Sequence, residues 1–322
     1  MQKRFASVVL TCLAASVAAQ DLPAQFEHDR IHLTVTAPDQ SSVRFYTDSG
    51  GGWNAVGKTA FERLRLQAVG QVEGPRDKLD VVEFPAWVTR AGIPVPVADE
   101  PWLQGRLAVV PDQEILGDDG FLGTRWFAGR VWKIDYPRQS FSVLQKYTPT
   151  ADDHPAALGF ATDENGKRAL DFPRVTIVVD GKPIDVLLDT GATAKLSEGA
   201  AAAFQLKPGE MVGASYIIKS IFDEWHKGHS NWRVIEGAET VIPGRALPMI
   251  EVPEVSLAGV TFGPVWFTQR PDANFERMSD SMDEQVHGAI GGSGLKYLRV
   301  VLDYPGAMAY VQKPAGSTAQ SR

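Results

Sequence analysis

The sequence predicts a mostly β protein built from two similar halves, and three observations lead to this prediction. Among 322 residues the chain has 21 prolines and 30 glycines, a content that suits short strands joined by turns better than a helical bundle. An apolar run that ends in an Asp, a hydroxyl residue and a Gly occurs twice. The features that follow each run recur in the same order, which an internal duplication explains better than chance.

The clearer of the two runs occupies residues 184–193. Residues 186–188 are consecutive apolar residues, and they predict a short buried strand. Asp189 stands at the end of this strand and needs hydrogen-bonding partners, because an isolated buried carboxylate is very costly. Thr190 offers a hydroxyl group, and Gly191 permits a tight turn with close backbone approach.

The first half repeats this arrangement, since a predicted strand ends there in Asp48, Ser49 and Gly50. Ser in place of Thr keeps the short hydroxyl side chain. Hydrophobic alternation and turn residues predict the other elements. Strands are predicted at residues 30–36, 43–47, 131–134 and 140–144 in the first half and at residues 174–179, 184–188, 299–302 and 307–311 in the second, with short helices at residues 124–129 and around residues 295–298.

One spacing is the same in both halves. The interval from Gly123 to Asp135 has the same length as the interval from Gly291 to Asp303. Each of these acids begins an Asp-Tyr-Pro tripeptide. The identical tripeptide at an identical distance supports a duplication.

Another spacing differs between the halves. The interval from Asp48 to Gly120 is clearly shorter than the corresponding interval from Asp189 to Gly288. The second half therefore carries an additional segment somewhere in this interval. We expect this extra segment within residues 216–245.

Residues 1–19 have the features of a secretory signal peptide. Lys3 and Arg4 give a charged start, and residues 5–17 form an apolar run too short for a permanent membrane helix. Small residues allow cleavage after Ala19. The single cysteine, Cys12, lies in the apolar run, so the mature chain would have no disulfide. We therefore expect an exported protein, either periplasmic or secreted.

The sequence divides into five predicted parts. Residues 1–19 are the signal peptide, and residues 20–150 form the N-terminal lobe. Residues 151–172 are a loop-like linker with several Pro, Asp and Gly residues. Residues 173–312 form the C-terminal lobe, and the polar residues 313–322 are expected to be a disordered tail.

Charge and hydropathy argue against two classes of partner. The formal net charge is −7, so we expect no nucleic-acid-binding surface. After the N-terminus no apolar run approaches the length that a membrane-spanning helix needs, so we expect no membrane span.

With these features assembled, the chain resembles the aspartic peptidases of the pepsin and retropepsin clan, and in particular bacterial, exported members. In that family each lobe has an apolar strand that ends in Asp-Thr/Ser-Gly, and later an apolar pair followed by Gly. Residues 187–193 with residues 289–291 match this pattern closely, and residues 45–51 with residues 121–123 match it more loosely. The resemblance covers nearly the whole mature chain.

The resemblance implies two acid-protease-like β-barrel lobes with a few short helices and an active cleft between them. It implies an aspartic endopeptidase that acts on peptide or protein substrates and needs no metal or other cofactor, because the nucleophile is an activated water. Since one chain supplies both acids, we expect a monomer. The implied roles are catalysis for Asp48 and Asp189, support of the active-site loops for Ser49, Gly50, Thr190 and Gly191, and packing against these loops for Gly123 and Gly291.

The implied chemistry depends on two carboxyl groups that face each other. Two acids about 3 Å apart cannot both ionise, so they share one proton. The ionised member takes a proton from a water, and the protonated member donates to the carbonyl oxygen that the water attacks.

Two alternatives stay open from the sequence. Thr47 stands where an apolar residue is usual, and Gly51 and Gly52 make a loose continuation, so the pair could be impaired and the protein could bind peptides without cutting them. A second alternative is that the C-terminal lobe pairs with another chain, but Asp48 argues against it. No Tyr lies between Asp48 and Tyr136 to cover the cleft, and the candidates for that role are Trp53, Trp87 and Trp102.

Overall fold

The computed structural model describes residues 19–75, 77–99, 101–241 and 244–314. Nearly all of the predicted signal peptide lies outside the described residues, and so does the predicted tail beyond residue 314. The predictions for these two segments, including export, therefore remain predictions.

The first half of the described chain consists mainly of short strands. Alternation of apolar side chains explains the longest of them, in which Ile31, Leu33 and Val35 are buried. The elements are Gln20–Asp21 (β1), Ala24–Glu27 (β2), Arg30–Thr36 (β3), Ser42–Thr47 (β4), Asn54–Gly57 (β5), Lys58–Arg63 (α1), Ala68–Glu73 (β6), Lys78–Val82 (β7), Ala86–Arg90 (α2), Leu107–Val110 (β8), the 3₁₀ helix Asp112–Glu114, Gly120–Leu122 (β9), Thr124–Phe127 (α3), Val131–Asp135 (β10) and Ser140–Leu144 (β11).

The second half has the same character. Asp180 and Gly181 both have positive φ, 50° and 72°, which is the backbone of a two-residue hairpin turn. The elements are His154–Ala157 (β12), Arg174–Val179 (β13), Lys182–Leu188 (β14), Thr193–Lys195 (β15), Glu198–Phe204 (α4), Met211–Gly213 (β16), Ser215–Ile218 (β17), Lys219–Gly228 (α5), Val234–Glu239 (β18), Leu247–Val252 (β19), Val255–Leu257 (β20), Val260–Phe262 (β21), Val265–Arg270 (β22), Asp272–Ser279 (α6), Gly288–Ile290 (β23), Gly292–Leu295 (α7), Arg299–Asp303 (β24) and Met308–Gln312 (β25).

Two large sheets repeat one strand order. The first sheet runs β2-β3-β4-β9-β5-β8-β7-β6, and the second runs β21-β20-β13-β14-β23-β17-β22-β19-β18. From β3 onward in the first and β13 onward in the second, every neighbour relation corresponds. The pairs β4 with β9 and β14 with β23 are parallel, and so are β5 with β8 and β17 with β22. The predicted mostly β fold with two similar lobes is confirmed.

The expectation of barrels is wrong in one respect, because neither large sheet closes on itself. The terminal strands β2 and β6 of the first sheet are not hydrogen-bonded to each other, nor are β21 and β18 of the second. A barrel requires its first and last strands to pair. Each lobe is therefore built on an open sheet.

A third, six-stranded sheet joins the lobes in the order β1-β11-β10-β24-β25-β12. At its centre β10 and β24 run antiparallel, and Lys133 pairs with Val301. Lys133 follows Gly123 at the same distance at which Val301 follows Gly291, so equivalent residues of the two halves meet there. The outer strand β12 lies within the segment predicted as a loop-like linker, and it pairs with β25.

The repeated Asp-Tyr-Pro tripeptides have the same structural role in both lobes. Asp135 Oδ1 accepts a hydrogen bond from the amide N of Arg138 over 3.1 Å, and Asp303 Oδ1 accepts one from the amide N of Gly306 over 2.8 Å. Each acid thus closes the turn after a central strand. The Tyr that follows each acid is buried in a main apolar core that continues from one lobe into the other.

Most of the extra segment of the second half lies outside residues 216–245, where the sequence predicts it. Asn54, which begins β5, follows Asp48 closely, whereas its counterpart Ser215, which begins β17, follows Asp189 only after a long interval. Most of the extra residues therefore come directly after the Asp189 turn, where they form β15, α4 and β16. The remainder lies between β17 and β23.

Two predicted helices are placed differently in the structure. The helix expected around residues 295–298 is Gly292–Leu295, and the one expected at residues 124–129 ends at Phe127. Both are single turns that begin directly after Gly123 or Gly291, so the glycine fixes their start. None of the helices in the described part of the chain has the length and apolar character that crossing a membrane requires.

Candidate active site

Asp48 and Asp189 occupy equivalent positions at the ends of β4 and β14. The amide N of Asp48 donates to the carbonyl of Leu122 over 2.9 Å, and that of Asp189 donates to the carbonyl of Ile290 over 2.9 Å. Leu122 and Ile290 end the parallel strands β9 and β23. Each acid is therefore fixed by the strand that carries it and by a parallel neighbour.

The structure brings these two acids together between the lobes. Their carboxyl groups are hydrogen-bonded to each other. Asp189 is buried, with 8% of its surface exposed, and Asp48 is partly exposed. Backbone amides also converge on the pair: Gly50 N donates to Asp48 Oδ1 over 3.2 Å and Gly191 N donates to Asp189 Oδ1 over 2.9 Å.

Ser49 and Thr190 connect the two loops by crossed hydrogen bonds. The amide N of Ser49 donates to Thr190 Oγ1 over 3.1 Å, and the amide N of Thr190 donates to Ser49 Oγ over 3.0 Å. Ser49 Oγ in turn donates to the carbonyl of Leu188 over 2.8 Å. Thr190 Oγ1 donates to the carbonyl of Thr47 over 3.1 Å. Each hydroxyl group thus both accepts from and donates to the opposite lobe.

Removing one of these hydroxyl groups is expected to loosen the junction. Thr190→Val leaves the Ser49 amide and the Thr47 carbonyl without their partners in a buried place, at about 1–3 kcal/mol for each group. The free energy of unfolding, measured with urea, should fall accordingly. The matched control is Thr268→Val, because the buried Thr268 hydroxyl has no hydrogen-bond partner among the described residues. An equal loss of stability in both variants would contradict this account of Thr190.

Gly50 and Gly191 lie so close to the opposite acid that a side chain does not fit. A Cβ atom at Gly50 would lie 2.5 Å from Cγ of Asp189, and one at Gly191 would lie 2.7 Å from Cβ of Asp48. Carbon atoms in contact are normally about 3.5–4.0 Å apart. The two glycines therefore allow the loops to approach until the carboxyl groups meet.

Gly123 and Gly291 pack behind the loops. A Cβ atom at Gly123 would lie 2.6 Å from the carbonyl O of Gly51, and one at Gly291 would lie 2.7 Å from the carbonyl O of Asp189. The Gly123 amide donates to Asn54 Oδ1 over 2.9 Å, and the Gly291 amide donates to Ser215 Oγ over 3.0 Å.

The two side chains that accept these bonds, Asn54 and Ser215, were not predicted from the sequence. Each is the first residue of the strand that follows the active-site loop of its lobe, and this equivalent position could have identified them. The segment inserted after Asp189 puts them at unequal distances from the acids. The chemical difference between an amide and a hydroxyl side chain concealed the match further.

The shared position of the acids changes their titration. Burial raises the pKa of Asp48 well above the usual value, and the charge of Asp189 and the hydrogen bond with it raise it further. Burial also raises the pKa of Asp189, but hydrogen bonds from Asp48 and from the amides of Gly191 and Ala192 oppose this rise. Both acids therefore bind a proton more readily than an isolated Asp, and the pair can hold one proton between them.

The raised pKa of Asp48 predicts a pH-dependent effect of Asp48→Asn on stability. An Asp with a raised pKa in the folded state binds a proton more tightly when folded, so wild-type stability falls as pH rises from the ordinary pKa of 3.8 through the raised one. The variant lacks this loss and can still donate a hydrogen bond to Asp189. We expect the free energy of unfolding of the variant relative to the wild type, measured with urea, to be higher at pH 7 than at pH 3.5. A difference that is the same at both pH values would count against a raised pKa.

Apolar side chains flank the pair on both lobes. Tyr46 precedes Asp48 by two residues on the same strand face, and its ring stacks on Phe121 with 5.3 Å between centroids. Leu187 has the corresponding position before Asp189 and belongs to a separate buried cluster with Ala289. The Asp48–Asp189 pair thus lies between one apolar patch from each lobe.

The tryptophans considered as covers for the cleft divide into two groups. Trp53 and Trp102 pack together with 5.1 Å between ring centroids, and Trp102 Nε1 donates to the carbonyl of Glu73 in β6 over 2.9 Å. They lie at the hairpin formed by β6 and β7. Trp87 packs against the main core, away from this cluster.

Comparisons with known proteins give similarity in structure but no match in sequence. No protein-family model matches the sequence, and no curated protein does. Among solved structures, the aspartic proteinase from Irpex lacteus matches with 12% identity and a TM-score of 0.45, over 95% of this chain and 100% of that chain. Similarity this low carries no information on activity.

Proposed function

We propose that the protein is an aspartic-type endopeptidase, which hydrolyses peptide bonds with a water molecule activated between Asp48 and Asp189. One observation carries the proposal: the two carboxyl groups are hydrogen-bonded to each other and are held there by loops that the crossed Ser49 and Thr190 bonds join. Neighbouring carboxyl groups that share one proton supply an acid and a base at the same place.

One proton shared by the pair supplies both roles. The ionised member takes a proton from the water as the water oxygen bonds to the peptide carbonyl carbon, and the protonated member gives its proton to the carbonyl oxygen. The product is a neutral tetrahedral diol. Its C–N bond breaks when the amine nitrogen receives the proton that the first acid took from the water, and a diol hydroxyl returns a proton to the second acid. The pair then regains its starting state.

The substrate inferred from the position of the pair is an extended peptide or protein segment lying between the lobes. One chain supplies both acids, so activity requires no second copy. The N-terminal sequence supports the further inference that the enzyme is exported and acts in the periplasm or outside the cell.

Hydrolysis of a defined peptide mixture tests this proposal. The purified protein is incubated with the mixture from pH 3 to pH 8, and the products are identified by mass spectrometry. We expect cleavage at internal peptide bonds, with activity falling at low pH, where both acids are protonated, and at high pH, where both are ionised. A folded protein that cleaves nothing at any pH would refute the proposal.

Peptide binding without cleavage is the second candidate, and Thr47 is the observation behind it. Its side-chain hydroxyl is buried without a hydrogen-bond partner among the described residues, which is an unfavourable arrangement beside an active site. Its backbone carbonyl nevertheless accepts the bond from Thr190, as Leu188 does from Ser49 in the other lobe. Saturable peptide binding by a protein that leaves the same peptides intact would favour this candidate.

A further inference from the structure

A tyrosine in the second lobe holds the chain just after the Asp189 loop. Tyr216 Oη donates to the carbonyl of Thr193 over 2.7 Å and accepts from the amide N of the same residue over 2.7 Å. The equivalent position in the first lobe is Ala55, because Tyr216 and Ala55 are the second residues of β17 and β5. This contact therefore has no counterpart in the duplicated half.

From Thr193 the contacts continue to the acid. Thr193 Oγ1 donates to the carbonyl of Gly191 over 2.8 Å, and the Gly191 amide donates to Asp189 Oδ1 over 2.9 Å. Thr193 is buried, with 2% of its surface exposed. A shift of Thr193 would therefore move the Gly191 peptide, which contacts both acids.

On its other side Tyr216 contacts a buried ion pair. The Arg270 guanidinium lies 4.0 Å from the centre of the Tyr216 ring, and its Nη1 donates to Glu239 over 2.7 Å. Glu239 is 1% exposed and also accepts a hydrogen bond from the Val241 amide over 2.8 Å. A buried ion pair often adds little to stability. Here Glu239 holds the Arg270 cation against the ring whose hydroxyl group holds Thr193.

We propose that Tyr216 is a positioning residue for Asp189, which it places through Thr193 and Gly191. The inserted segment β15–α4–β16 begins at Thr193, where the loop of the second lobe would otherwise be free to follow the insertion. By binding Thr193, Tyr216 holds the chain at the point where the Asp189 loop ends and the inserted segment begins. This role in catalysis rests on the proposed peptidase activity, but the effect on Asp189 itself does not.

Loss of the Tyr216 hydrogen bonds to Thr193 should change the pKa of Asp189. The amides of Gly191 and Ala192 stabilise the ionised form of Asp189, so weaker bonds from them raise its pKa. Asp48 is the titratable side chain that acts on Asp189. The charge of Asp189 acts in turn on four tyrosines and contributes to their raised pKa values. These tyrosines are Tyr46, Tyr136, Tyr216 and Tyr304.

The test compares Tyr216→Phe with a matched control, Tyr297→Phe. Tyr297 is also a buried tyrosine of the second lobe, and its hydroxyl group donates to the carbonyl of Pro264 over 2.7 Å. In Tyr216→Phe we expect kcat to fall about tenfold with little change in KM, and the acid limb of the pH profile to move to higher pH. Tyr297→Phe should leave the pH profile in place.

Thr193 variants test whether Tyr216 acts on Asp189 through Thr193. Thr193→Val removes the bond to the Gly191 carbonyl and should shift the acid limb as Tyr216→Phe does, whereas Thr193→Ser keeps the hydroxyl group and should restore the wild-type profile. Equal pH profiles in Tyr216→Phe and Tyr297→Phe would overturn the proposal.

A second readout keeps this test separate from the proposed function. The Asp189 pKa can be followed by NMR with ¹³C-labelled Asp carboxyl groups, assigned through Asp189→Asn. If the wild type hydrolyses nothing, the peptidase proposal fails, but a raised Asp189 pKa in Tyr216→Phe would still support the positioning role. An unchanged Asp189 pKa in that variant would overturn it.

Discussion

Replacing Asp189 by Asn is expected to reduce peptide hydrolysis by about 10³-fold or more, and Asp48→Asn should do the same. The reason is that the mechanism needs one ionised and one protonated acid at the same time. The ionised acid removes a proton from the water, and the protonated acid supplies one to the carbonyl oxygen. Asn keeps the shape and some hydrogen bonds but neither takes up nor releases a proton at these steps. Initial rates with one cleaved peptide across pH 3–8 give the comparison.

Two controls distinguish loss of chemistry from loss of structure. Asp303→Asn changes an acid of the same lobe that closes a turn outside the site, and it should keep nearly full activity. The double variant Asp48→Asn with Asp189→Asn should be no slower than either single one, because residues that act as one unit are not additive. Full activity in either single variant would exclude the shared mechanism.

The second large effect is expected for Gly191→Ala. A methyl group at this position meets the side chain of Asp48 at 2.7 Å or less, so either the acids or the lobes must move apart. The φ of Gly191 lies outside the positive range that side chains disfavour, so lack of space alone is the cause. We expect about 1–3 kcal/mol of lost stability and at least about a hundredfold loss of activity, since misplaced catalytic groups lose rate steeply.

Gly199→Ala is the matched control for this prediction. Gly199 lies in α4 of the same lobe, and a Cβ atom there would meet nothing within 4 Å. Alanine favours the helix over glycine by about 1 kcal/mol, so the control should be as stable as the wild type or more stable. Urea unfolding and peptide hydrolysis of both variants give the answer. Wild-type activity in Gly191→Ala would mean that the loops do not approach as closely as described.

Much of the fold could be predicted because its signals are local. The strand before Asp189 is a buried apolar run followed by a turn, and the strand with Ile31, Leu33 and Val35 alternates, so neither depends on distant residues. The repeated order then identified a second lobe and paired Asp48 with Asp189. The similarity of the lobes and the meeting of the two acids follow from that duplication.

The errors concern facts that local patterns do not contain. The difference in length between two intervals does not say where the insertion lies, and most of it follows Asp189 directly. Whether a sheet closes depends on its two end strands, which are distant in sequence. Tyr216 and Arg270 are also distant in sequence, and their contact arises only from the pairing of β17 with β22.

The central claim is that Asp48 and Asp189 act as one unit that shares a proton. ¹³C NMR of labelled Asp carboxyl groups in the wild type, Asp48→Asn and Asp189→Asn tests it most directly. We predict that the wild-type pair titrates in two steps and still holds one proton well above pH 3.8. Replacing either acid should leave a single step and change the titration of the acid that remains. Two independent carboxyl groups that both ionise near pH 3.8, unaffected by the loss of the other, would contradict it.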